Sequence, residues 1–181
     1  LSKITFAYIT NSLAAKNTFK RISNNKHIYT IYNGIEVKKE TDIAEKEYDI
    51  CVLAHISKRK GHLNFIEKIY ELRKINPNLK VVFIGKNLLN QKITKKINHF
   101  RLNECIKIKG YTNNPEKYLK KSRLLVLPSL YMEGVPTSII EAFSNRVPAI
   151  AYDIDGNNEV IIDNINGFLI NKRKDNLIEK I

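Results

Sequence analysis

The chain has 181 residues, 43% of them hydrophobic and 27% charged, a balance that fits one globular domain and excludes a disordered chain. Its longest purely apolar runs are about five residues, as at Ile50 to Ala54, against the ~20 a membrane span needs, so the segment is not expected to cross a bilayer. A net charge of +13 suits an anionic partner, although Lys, Ile and Asn all have A/T-rich codons and codon bias alone accounts for the excess about as well.

The first stretch, ITFAYIT, reads as a strand, followed by a helical stretch and a second strand, HIYTIY. Asn33-Gly34 is a turn signal, and the charged EVKKETDIAEKE after it has no clear periodicity. Residues 34–47 are therefore read as a linker, and residues 1–33 as the tail end of a preceding domain. Leu1 to Ile9 lack the basic front and long apolar stretch of a secretory leader, and the first residue is Leu, so a fragment or processed product is expected.

From residue 48 onward strands and helices alternate. DICVLA (49–54) reads as a buried strand, and Gly61 opens a helix with Phe65, Ile66, Ile69, Tyr70 and Leu72 near the 3.6 period, closed by Asn76-Pro77. LKVVFI (79–84) is the next strand, and the helix after it carries Leu89, Ile93, Ile97 and Phe100 on one face. CIKIK (105–109), a short helix at 115–121 and RLLVLP (123–128) follow. A helix near Pro136 is expected to bury Ile139, Ile140 and Phe143, before strands at 148–152 and 167–170 and a last helix from about Asp175.

Such alternation predicts an α/β fold: a doubly wound, Rossmann-like parallel sheet covered on both faces. Ligands then sit at the carboxyl ends of the strands, here His55 to Gly61, Gly85-Lys86, Gly110-Tyr111, Ser129 to Pro136 and Asp153 to Gly156. Cys51 and Cys105 lie in β-branched runs and read as small buried hydrophobes, which fits a reducing cytoplasm. No CxxC or HxxxH cluster is present, Asp153 and Asp155 read as turn formers, and no metal is expected. His62, beside Gly61, reads as a surface residue at a helix start. Tyr111 reads equally as packing or as the flank of a bound base.

The chemistry is concentrated in SLYMEGVPTSIIEA, Ser129 to Ala142. Pro136 suits the first helical position, because its missing N–H is not needed there. The free N–H groups of Thr137 and Ser138 would then point out of the helix end, a ready site for a diphosphate. Glu141 suits a pair of ribose hydroxyls, and Glu133, with seven residues between the two, suits sugar hydroxyls near the reacting carbon.

This segment resembles the signature of family 4 glycosyltransferases, whose paired glutamates are often written EGFPxxxxEA and which have the two-domain GT-B fold. Further matches fall in order over residues 30–170: Asn33-Gly34-Ile35, Lys60-Gly61, Leu127-Pro128-Ser129, and Gly156, Glu159 and Asn166-Gly167-Phe168-Leu169. In the last stretch Asp155 and Asn164 replace two of the family's glycines. The resemblance implies that residues 48–181 form the nucleotide-sugar (donor) domain, truncated at its end, and that 1–33 close the acceptor domain. It implies retaining glycosyl transfer from a nucleoside-diphosphate sugar without metal, in bacterial surface polysaccharide or lipopolysaccharide synthesis. The acceptor, a glycan or lipid-linked sugar, would sit on the first domain. It further implies a cytoplasmic enzyme, with peripheral contact at the inner membrane face allowed.

By the same resemblance Glu133 would hold the transferred sugar as the catalytic candidate. Lys60 would neutralise the diphosphate, the Thr137 and Ser138 amides would bind it, and Glu141 would bind the ribose. Gly134 and Val135 complete the substrate-binding segment. His55 stands where the family usually has Arg and lacks the planar fork of Arg, so Lys58 or Arg59 would have to substitute.

Competing readings are weaker. A sugar 2-epimerase would fit the fold but explains EGVP less well, and a phosphorylase would need a lysine-bound pyridoxal phosphate for which no pattern exists. A pseudoenzyme or scaffold would take His55 as its sign of decay. Nucleic acid is not expected as a partner, because the basic residues spread over helices and turns without an aromatic-interleaved stripe. GxGxxG and GxxxxGK[ST] are both missing.

Overall fold

The computed structural model describes residues 6–23, 27–37 and 44–181. In chain order the elements are β1 (Tyr8–Thr10), α1 (Leu13–Ile22), β2 (Ile28–Thr30), β3 (Tyr48–Leu53), α2 (His62–Ile75), β4 (Val81–Ile84), α3 (Gln91–His99), β5 (Ile106–Gly110), α4 (Glu116–Lys120), β6 (Ser122–Leu127), α5 (Thr137–Ser144), β7 (Ala149–Tyr152), a 3-10 turn (Asp155–Glu159), β8 (Gly167–Ile170) and α6 (Leu177–Lys180). The start of the predicted ITFAYIT strand and residues 38–43 of the predicted linker lie outside the described residues.

Six strands form one wholly parallel sheet, ordered β5-β4-β3-β6-β7-β8. The order runs outward from β3 through β4 to β5, then restarts on the other side with β6, so β3 and β6 flank the topological switch point. Both faces are covered because the central strands are apolar at successive positions and period 2 sends alternate residues to opposite layers. Ile50, Val52, Val81, Phe83 and Val126 pack with Phe65, Ile66 and Ile69 of α2 and Ile93 and Ile97 of α3. Cys51, Val82, Ile84, Leu125 and Leu127 pack with Leu119 of α4 and Ile139 and Ala142 of α5. Both cysteines are buried and unpaired, as read from their surroundings.

Three sequence expectations are corrected. Tyr70 lies on the predicted apolar face of α2 but is exposed, stacked at a tilt against Phe100 with Lys74 over its ring. In α5, Ile140 and Phe143 are only half-buried, because the inward stripe runs through Ser138, Ile139 and Ala142. Pro136 is the N-cap of α5, not its first helical residue: its ψ of 122° is extended, set by the loop leaving β6.

β1 and β2 form a separate two-stranded parallel sheet. With α1 between them they make a small βαβ unit, which meets the larger domain at Glu159 and Val135. Several of its apolar residues, Phe6, Ile9, Tyr29 and Ile31 among them, are exposed.

Candidate functional site

A crevice of about 510 Å³ opens at the carboxyl ends of β3, β4, β5 and β6, astride the switch point. It brings together His55, Arg59, Lys60, Glu133, Gly134, Val135, Thr137, Ser138 and Glu141, all of them site candidates of the sequence. Lys58, the other candidate substitute for the missing Arg, is exposed and does not line it. Tyr111 does line it, and at 71% exposure it is not a packing tyrosine.

Two loops build the floor. The β3–α2 loop carries Arg59 and Lys60, and the β6–α5 loop carries Glu133. They touch backbone to backbone: the Leu130 N–H donates to the Arg59 carbonyl at 2.9 Å. Gly61 makes this approach possible. It caps α2 in the left-handed region at φ 71°, and a Cβ there would lie 1.9 Å from the Pro128 carbonyl oxygen.

Glu133 is 8% exposed, and its charge is answered twice. The Lys60 ammonium donates to Oε1 at 2.7 Å and the Arg59 guanidinium to the same oxygen at 3.2 Å. Arg59 also donates to the Met132 carbonyl at 2.7 Å, which fixes its fork across the loop. A carboxylate this buried stands only because it is paired. The loop is held from behind by the 3-10 turn: the Glu133 N–H donates to the Asp155 carboxylate at 3.1 Å, and the Gly156 N–H donates to the Glu133 carbonyl at 3.2 Å. Asp155 thus acts as a hydrogen-bonding turn residue, and Asp153 binds Asn158. Among the described residues no group of three or more His, Cys, Asp or Glu is placed to hold a metal ion.

Thr137 and Ser138 occupy the first turn of α5, where a helix offers its own N–H groups no acceptor. Glu141, one turn further on, is half-buried, and burial pushes its carboxyl above the ordinary range. The crevice also contains residues the sequence reading had not assigned to it, Asn11 and Asn33 of the βαβ unit. Asn33 donates to the Val135 carbonyl at 2.8 Å, and the Asn11 amide lies over Gly134, within 2.3 Å of where a Cβ would stand. The NGI motif marked Asn33 as a turn; nothing local in the sequence marked Asn11.

His62 is fully buried, which corrects its reading as a surface residue. Close approach of Gly61 to Pro128 draws the first turn of α2 against the sheet, and the imidazole packs edge-on to Phe83 at 5.2 Å. No hydrogen bond of ordinary geometry reaches either ring nitrogen. Burial first, and the charge of Lys60 second, push its pKa down from 6.5 to about 4, with the Ser57 backbone opposing both. The unfolded chain therefore binds a proton below pH 6.5 that the folded chain refuses until about pH 4. Stability is intact above the upper value and falls by at most about 1.4 kcal/mol per unit of acidification between the two. His62→Leu is expected to remove that slope and to unfold at equal or higher urea than the parent at pH 5. Equal slopes in the two proteins would assign the acid sensitivity elsewhere.

The family model for glycosyl transferases group 1 matches residues 35–181. The chain belongs to this family. A glycosyltransferase of capsular polysaccharide biosynthesis, CapH of Staphylococcus aureus, is 31% identical over 157 residues, 84% of this chain and 44% of CapH. Among solved structures, a TarM variant from S. aureus in complex with fondaparinux, α-GlcNAc-glycerol and UDP superposes with a TM-score of 0.87 at 27% identity, over 96% of this chain and 36% of TarM. HepE from Anabaena in complex with UDP-glucose superposes at 0.86 and 18% identity, over 98% of this chain and 54% of HepE, a likeness of fold. The chain spans between about a third and a half of the length of these proteins. Its six-stranded, Rossmann-like sheet is one domain of the GT-B fold.

Proposed function

We propose that this chain is the donor half of a retaining glycosyltransferase that takes a nucleoside-diphosphate sugar, a UDP-sugar first among them. The observation that carries the reading is the juxtaposition, in one crevice, of Lys60 and Arg59, the open first turn of α5 and the half-buried Glu141. The costly step in such a transfer is departure of the nucleoside diphosphate. Two cations and two oriented amides, placed where that negative charge develops, stabilise it in the transition state more than in the ground state. Glu141 would accept from the ribose hydroxyls, and Glu133 would hold the sugar beside the breaking bond. His55 has no guanidinium to offer, so Arg59 supplies the second cation. UDP in the TarM complex supports that base over guanine.

Residues 1–33 would end the acceptor-binding domain and 34–47 would link it to the donor domain at 48–181; the separate β1–β2 sheet with its uncovered apolar residues supports that division. A glycan or lipid-linked acceptor would enter from that side, in synthesis of a surface polysaccharide such as CapH's printed name describes. The enzyme would work on the cytoplasmic side, with peripheral contact at the inner membrane face.

Calorimetric titration with UDP, GDP and ADP tests the reading. UDP is expected to bind selectively, and Glu141→Ala to weaken it by roughly tenfold or more, the loss of hydrogen bonds to a charged group. A folded chain that binds none of the three has no working donor site.

A further inference from the structure

The 3-10 turn that backs Glu133 has a second end. Asp155 accepts from the Glu133 N–H, while Glu159, at the other end, reaches the βαβ unit. Its Oε2 accepts from the Leu13 N–H at 2.7 Å and its Oε1 from the Ala14 N–H at 2.9 Å. Ser12 takes the next amide, that of Ala15, at 3.0 Å. The three leading amides of α1 are thus satisfied, two of them by a carboxylate 145 and 146 residues away in sequence. α1 has no acidic residue of its own in its first turn and no buried residue at all, so little apolar packing seats it. The same carboxylate raises the Tyr32 phenol above its ordinary range. Between the two ends the turn is closely packed. Asn157 is fully buried and donates to the Tyr152 carbonyl at 2.9 Å, and a Cβ on Gly156 would lie 2.5 Å from the Gly134 backbone.

We propose that Glu159 is a positioning residue: through the Asp155–Glu159 turn it couples the seating of the βαβ unit, and with it Asn11 and Asn33, to the loop that carries Glu133. Movement of the unit away from the crevice then loosens Glu133, and order in that loop holds the unit down. The coupling does not depend on which nucleotide the crevice takes.

Hydrogen–deuterium exchange of the whole chain tests it, comparing the parent with Glu159→Ala and Glu159→Gln. Glu159→Ala is expected to speed exchange about tenfold or more at residues 12–16 and to speed it also at 132–135, with β3 and β6 unchanged. Glu159→Gln keeps one acceptor oxygen and should bring both segments part of the way back together. Faster exchange at 12–16 with 132–135 unmoved would reduce Glu159 to a helix cap and overturn the coupling; no change at either would overturn the contact itself. If the alanine variant loses protection throughout the sheet, the glutamine variant decides on the same two segments.

Discussion

Gly61→Ala is expected to destabilise the fold by about 3 kcal/mol or more and to disable nucleotide binding in whatever fraction remains folded. Two costs fall on one position. The left-handed φ of 71° penalises any Cβ, and that Cβ would meet the Pro128 carbonyl oxygen at 1.9 Å, a backbone atom that no side-chain rotation can clear. Relief requires the β3–α2 and β6–α5 loops to part, which breaks the Leu130–Arg59 hydrogen bond and draws Lys60 away from Glu133. Gly110 is the internal control. It has the same φ of 71° with nothing within 4 Å of its Cβ, so Gly110→Ala should cost only the left-handed penalty, about 1 kcal/mol. Urea unfolding of the two variants side by side checks this. Equal losses would show that the close approach to Pro128 carries no energy.

Lys60→Ala separates the two duties of the crevice. Removing the ammonium leaves the buried Glu133 carboxylate with Arg59 alone, at the longer distance of 3.2 Å. Breaking one side of such a pair costs more than the pair contributes, because the remaining charge stays desolvated. A loss of about 2 kcal/mol in stability is expected, less than for a fully isolated charge because Arg59 persists. UDP affinity should fall by 10- to 100-fold, roughly the worth of one charge-assisted contact to a phosphate. The double variant Lys60→Ala with Glu133→Gln distinguishes these: it should recover much of the stability and none of the affinity, measured by urea unfolding and calorimetry in one cycle. Recovery of affinity in the double variant would mean that Lys60 serves Glu133 and not the diphosphate.

The central strands of the larger sheet were legible because parallel strands buried on both faces read as short apolar runs, and 50–54, 81–84 and 124–127 are such runs. That Lys60, Glu133 and Glu141 would line one crevice was legible through resemblance and, for Lys60 and Glu133, through their place at strand ends. Local pattern carried less where contacts between distant segments decide. His62 is polar and begins a helix, which reads as surface, yet the approach of Gly61 to a loop more than sixty residues later buries it. The Lys60–Glu133 pair spans 73 residues and the Glu159–α1 contact 146, and neither separation leaves a periodic trace. Pro136 is compatible with both the N-cap and the first helical turn by its φ, and only ψ, set by the preceding loop, distinguishes them.

The placement of β6 directly beside β3, with β4 and β5 on the far side, has a consequence for the chain as it leaves the ribosome. Arg59 and Lys60 emerge with the first wing, whose strands β3, β4 and β5 can pair with one another before β6 exists. Glu133 arrives only with the second wing, 73 residues after Lys60. During that interval the nascent wing presents its cations with no acid from this loop to answer them. The chain thus lays down two cations of the crevice early in synthesis, and acquires the carboxylate that pairs with them only when the two wings meet.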